Sequence, residues 1–103
     1  MFGETRELKA VLYIFGSDEE LKKKALPFVD TDSGTINWNK IFDQRIGNGN
    51  KTVIKWAHSI WAANSIRQDL IWSSFSLDER LKRVILEALE IRWGLKSVEV
   101  TNA

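Results

Sequence analysis

The sequence predicts an all-α, mainly helical fold: a compact single-domain bundle of four to five helices around a central helix at about 51–64, with room for a small hairpin at 28–36. Three observations predict it. The stretch Asn50 to Asn64, NKTVIKWAHSIWAAN, places Val53, Ile54, Trp56, Ala57, Ile60, Trp61 and Ala63 on one half of a helical wheel at about 100° per residue, with Lys55, His58 and Ser59 opposite. Ser17-Asp-Glu-Glu20 and Ser76-Leu-Asp-Glu79 each set a carboxylate three residues after a hydroxyl, the capping-box pattern of a helix start. Finally, 103 residues without a cysteine make one domain, long enough to bury roughly 60–70% of its unfolded surface without disulfides.

In chain order, Glu4 to Phe15 puts Leu8, Val11, Leu12 and Phe15 at i, i+3, i+4 and i+7, which favours a first helix. Tyr13 and Ile14 interrupt that stripe, so the run from Ala10 to Phe15 also fits a buried strand. Ser17 is expected to cap a short helix through Leu21 and Ala25 that Pro27 stops. Phe28 to Ile36 pairs two β-prone pieces around Asp-Ser-Gly, a small hairpin or an irregular loop. Asn37 can cap a short helix at 38–44 carrying Trp38, Ile41 and Phe42 on one side.

Gly47-Asn-Gly-Asn50 then breaks the chain, with Asn50 the expected N-cap of the central helix and Asn64 its C-terminal stop. Between Ser65 and Phe75 a helical turn or two is expected to cover Leu70, Ile71, Trp72 and Phe75. The last helix, begun by Ser76, aligns Leu77, Leu81, Val84, Ile85, Ala88, Leu89 and Leu95, with Gly94 at its end. Residues 97–103 are expected to be a frayed tail or a brief edge strand.

Several spacings match a family pattern: Leu12-Tyr-Ile-Phe-Gly16 followed by Glu19, Glu20 and Leu21; Ile41-Phe42; Ala57 with Trp61; Leu77-Asp78; and Ala88-Leu-Glu-Ile-Arg-Trp93. The chain resembles an uncharacterised family of short helical proteins of Gram-positive bacteria and their phages. That resemblance implies a helical fold and a mobile-element setting, and supplies no activity and no functional residues. Where that family reads Asn-Gly after the central helix, this chain has Ala62-Ala-Asn64-Ser65, so the helix is expected to run a turn longer.

Fifteen basic residues against 14 acidic ones leave no net field to draw nucleic acid or anionic lipid. No apolar run is long enough to span a bilayer, and the absence of cysteine suits a reducing compartment, so cytoplasm is the expected location. Motif by motif, chemistry fails on spacing. Asp30-Thr-Asp-Ser-Gly-Thr-Ile36 puts glycine fifth rather than sixth and Ile41 where a calcium loop needs glutamate, so an Asp-rich turn is expected, with adventitious cation binding as the minor alternative. Gly47-Asn-Gly-Asn-Lys-Thr52 lacks the first glycine of a phosphate loop and the one before the lysine. His58, the sole histidine, cannot assemble a histidine metal site and is expected at the surface. No catalytic, cofactor-binding or metal-binding residues are assigned.

Five tryptophans are the compositional outlier, and tryptophan is enriched in cores and at interface hot spots. Trp56 and Trp61 belong to the central helix's apolar half, leaving Trp38, Trp72 and Trp93, with Lys55 on the polar arc, as candidates for protein interaction. Arg92 falls on the apolar face of the last helix, where it is expected to satisfy carbonyls at a helix end or to pair with Asp69 or Asp43. The expected function is a small non-enzymatic protein-binding domain, an inhibitor of phage or mobile-element type that occludes a larger host or defence protein. A small DNA- or RNA-binding regulator is the alternative, disfavoured because Lys22-Lys-Lys24 and Lys51, Lys55, Arg67 are sparse clusters. A homodimer stays open, and no membrane contact is expected.

Overall fold

Helix starts in this chain are set by side-chain oxygens that take up free backbone N–H groups. In the computed structural model, which describes residues 5–62 and 68–95, Thr5 caps α1 (Arg6–Gly16), Asp18 caps α2 (Glu19–Lys24), Asn37 caps α3 (Trp38–Phe42) and Asp78 caps α6 (Glu79–Arg92). Between them lie α4 (Asn48–Ala62) and α5 (Gln68–Ser74). The expected capping serines are displaced at both boxes. Ser17 Oγ instead donates to the Ile14 carbonyl at 2.6 Å and Ser76 Oγ to the Ser73 carbonyl at 2.9 Å, each closing the segment before it. The aspartate that follows takes the cap, and its charge suits the positive end of the helix. Asn50 is likewise inside the first turn of α4 rather than ahead of it.

The segment after α2 follows the proline signal. Leu26–Phe28 forms one 3-10 turn with Pro27 in it, and leads into an antiparallel hairpin of β1 (Val29–Asp30) and β2 (Thr35–Ile36), with Val29 opposite Ile36. Gly34 takes the left-handed conformation, φ 71°, that a tight turn needs. The Asp30 carboxylate accepts from the N–H groups of Asp32 and Ser33 at 3.0 and 3.2 Å, so it is occupied by the turn.

The long helices are arranged by contacts at both ends. Glu7 near the start of α1 meets Arg92 near the end of α6 at 3.3 Å, and Asp18 just past α1 meets Arg80 near the start of α6 at 3.0 Å. Midway, Tyr13 Oη donates to the Glu87 carboxylate. Asn50 reaches Asp18 and Arg92 reaches the Ile60 carbonyl, so α1 runs antiparallel to both α4 and α6, which are parallel to each other. α1 packs against α2, α4, α6 and the 3-10 turn, whereas α4 packs against α1, α5 and α6. The hub is therefore α1 as much as α4. Ile14, which broke the one-faced stripe, is fully buried because α1 is covered on several sides.

Within α4, Val53, Ile54, Trp56, Ala57 and Ile60 are buried as the wheel predicts, while Trp61 is half-buried. Ala63, Asn64, the extra turn and the 97–103 tail lie outside the described residues. Leu77, Leu81, Val84, Ile85, Ala88 and Ile91 line the core side of the last segment, but Leu95, expected among them, is 74% exposed. It follows Gly94, whose φ of 77° turns the chain away from the helix. The fold is mostly helical and compact, 38 × 30 × 27 Å, and no helix among the described residues is long and apolar enough to cross a membrane.

Candidate protein-interaction surface

α5 departs most from the expectation that its apolar side chains are covered. Its two inward residues, Leu70 and Ser74, face α4: Leu70 is buried, and Ser74 Oγ accepts from the Trp56 indole N–H at 2.6 Å while donating to the Leu70 carbonyl at 2.8 Å. At a helical pitch of about 100° per residue, Ile71, Trp72 and Phe75 point the other way. They are 50%, 64% and 67% exposed, and the Trp72 and Phe75 rings lie 5.4 Å apart. A seven-residue helix cannot cover both its own sides, and α4 is its main neighbour. The result is a contiguous apolar surface, two of its three side chains aromatic, that stands in solvent.

Beside α5 lies a groove of about 600 Å³ between the first half of α4 and the α5–α6 connection. Lys51, Thr52 and Lys55 of α4 form one wall, Ser73 and Ser76 the other, and Leu77 and Leu81 underlie it. Asp78 is the carboxylate in this lining, and it is engaged in accepting from the Leu81 N–H at 2.8 Å.

The four predicted interaction residues separate into three groups. Trp72 stands on α5, and Lys55 lines the groove beside it. Trp93, 63% exposed, is at the C-terminal end of α6 beside Gly94, against which the Arg6 guanidinium rests. Trp38 is not a free anchor: half-buried, it packs against Phe15, Phe42 and His58, with ring centroids 5.9, 6.1 and 4.9 Å away. His58 is correspondingly half-buried against two aromatic rings instead of standing at the surface. The short helix α3 presses Trp38 onto α4, which the isolated 38–44 pattern could not reveal. Sequence reasoning missed Phe75 and Ile71 because it counted them as residues needing cover. Their signal was the lack of a clean helical period across 65–75.

Arg92 reaches a carbonyl of α4, and its acid among the described residues is Glu7. It donates to the Ile60 carbonyl at 3.3 Å and pairs with Glu7 at 3.3 Å, because the antiparallel α1 brings Glu7 alongside. Asp43 is exposed on the C-terminal side of α3, and the side chain of Asp69 lies outside the described residues. Glu7 is held below the ordinary glutamate value, first by a backbone hydrogen bond and further by Thr5 and Arg92, against the opposing effect of burial.

A second polar assembly joins the α1–α2 corner to α4 and α6. Asn50 Nδ2 donates to Asp18 at 2.9 Å and to Glu20 at 2.8 Å, Gly47 N–H also donates to Glu20, and Arg80 holds the far oxygen of Asp18. Burial pushes the Asp18 carboxyl up, but Asn50, the Glu20 N–H and Arg80 outweigh it and leave it below its ordinary value. Glu20 is lowered chiefly by Asn50. These acids are committed to joining helices, and among the described residues no cluster of three or more His, Cys, Asp or Glu could hold a metal. Comparison with protein-family models, curated proteins and solved structures finds no match for the chain.

Proposed function

We propose that the protein is a small non-enzymatic binding domain that docks a larger protein through the outward face of α5. One observation carries this reading: Ile71 and Trp72 of α5 and Phe75 just after it are half or more exposed, while Leu70 and Ser74 of the same helix face the core. Tryptophan and phenylalanine kept in water at adjacent positions are what an interface anchor requires. Lys55 and the groove supply the charged rim. An inhibitor that occludes a host or defence protein, acting in the cytoplasm, is the concrete version, in line with the phage and mobile-element resemblance.

The test is affinity capture of a protein partner at low and high salt, followed by capture with a Trp72→Ser/Phe75→Ser variant. Retention of the partner at high salt by the parent, and its loss with the variant at an unchanged melting temperature, is the expected result. Steep weakening with salt indicates phosphate neutralisation instead and favours the nucleic-acid regulator. Capture by the variant equal to the parent overturns the assignment of α5.

A further inference from the structure

We infer that the groove beside α5 receives an acidic segment of the partner, a short stretch carrying carboxylates next to a bulky apolar residue. This deepens the proposal for α5 and rests on it. The argument is charge complementarity. Lys51 and Lys55 are one helical turn apart on the same wall of the groove, both exposed, and among the described residues neither has a carboxylate within ion-pair distance. The helix after Asp18 is different: there Lys22 and Lys24 are paired with Glu19 and Glu20. Asp78, which caps α6, sets one carboxylate against the two ammonium groups, so the lining keeps an excess of positive charge.

Ser73 and Ser76 form the opposite wall, with the Ser76 hydroxyl donating to the Ser73 carbonyl, and Leu77 and Leu81 give the floor an apolar surface. A segment lying there would set its carboxylates against the two ammonium groups. Its flanking apolar residue would reach Trp72, which adjoins Ser73 on the outward side of α5. Two lysines over an apolar floor suit carboxylates on a peptide better than the run of phosphates on a nucleic acid, which requires a longer basic track.

The experiment is a display selection of random short peptides on the full-length protein, with affinities of the enriched peptides measured by fluorescence anisotropy. The expected consensus combines Asp or Glu with Trp, Phe or Leu. A Lys51→Glu/Lys55→Glu variant is expected to weaken binding by about tenfold or more at an unchanged melting temperature, with affinity recovered by a peptide whose acids are exchanged for lysine. A consensus without acids, or an affinity that charge reversal leaves alone while Trp72→Ser abolishes it, overturns the acidic occupant and leaves α5 standing as the docking helix. Binding insensitive to Trp72→Ser and to charge reversal sinks both. Tighter binding of oligothymidine than of any acidic peptide, lost on charge reversal, overturns the inference in favour of nucleic acid.

Discussion

α1 and α5 carry similar apolar side chains and meet opposite fates. On α1, Val11, Ile14 and Phe15 are fully buried; on α5 and the turn that follows it, Ile71, Trp72 and Phe75 are half or more exposed. The side chains do not differ in hydrophobicity, so the difference lies in neighbours. α1 has α2, α4 and α6 around it, while α5 rests mainly on α4. Burial is thus decided by how many elements surround a helix, and a peripheral helix with few neighbours keeps apolar side chains in solvent.

The largest expected effect tests the buried side of this contrast. Phe15→Ala should lower stability by about 3–5 kcal/mol in urea denaturation, through lost transfer energy and a cavity that the surrounding helices cannot close. An effect under about 1 kcal/mol would mean that α1 is not the packed centre.

Next come the two ends of α1. Gly94, at φ 77°, lies against the Arg6 guanidinium, so Gly94→Ala should cost about 1–2 kcal/mol, mostly from the strained backbone because the arginine can swing aside. Gly16 has open space around its Cα and is helical, so Gly16→Ala should raise stability by about 0.5 kcal/mol. Thermal denaturation of the pair checks both signs.

Ser74→Ala removes the partner of the Trp56 indole and should cost about 1 kcal/mol. Amide exchange should then quicken in α5 more than in α1, if α5 is the less securely held of the two.

The pH dependence has two limbs. Asp18 and Glu20 have folded pKa values below their ordinary 3.8 and 4.5, so the unfolded chain binds more protons in that range. Their contribution is full above the ordinary values and is lost as pH falls through the depressed ones. The stability difference between the parent and Asn50→Ala should therefore shrink on acidification through this range. Burial, reinforced by the hydrogen bond to Glu87 and its charge, raises Tyr13 from 10.0 to about 12, so its contribution is full below pH 10.0 and declines as pH rises toward about 12. The difference between the parent and Tyr13→Phe should narrow over that alkaline interval, followed by circular dichroism at fixed urea.

The smallest expected effect closes the comparison. Trp72→Ala and Phe75→Ala should each change stability by less than about 0.5 kcal/mol, since both rings are mostly in water. A loss comparable to that of Phe15→Ala would show that α5 is part of the core and would remove the basis of the docking proposal.

Much of the helical framework was legible because its signals are local. Val53, Ile54, Trp56, Ala57 and Ile60 repeat at helical spacing and are buried together. Pro27 and the Asp-Ser-Gly turn sit where the chain stops and reverses. Less was legible at the candidate surface. Trp72 stood out by composition, yet only its position opposite Leu70 and Ser74 makes it an outward residue. Trp38 had the same appeal in sequence and is packed against Phe15 and His58. Ser17 was the expected cap, and Asp18 takes its place because the Ser17 hydroxyl bonds the Ile14 carbonyl of the preceding turn.

The sequence by itself determined most of the helical segments and which half of α4 avoids water, because periodicity and capping act within a few residues. Only the tertiary structure decided that α1 shares the centre with α4, that Arg92 meets Glu7, and that the aromatic side chains of α5 remain in solvent. Those outcomes depend on how many neighbouring elements a residue acquires and from which direction they arrive, and the spacing along one strand of sequence contains neither.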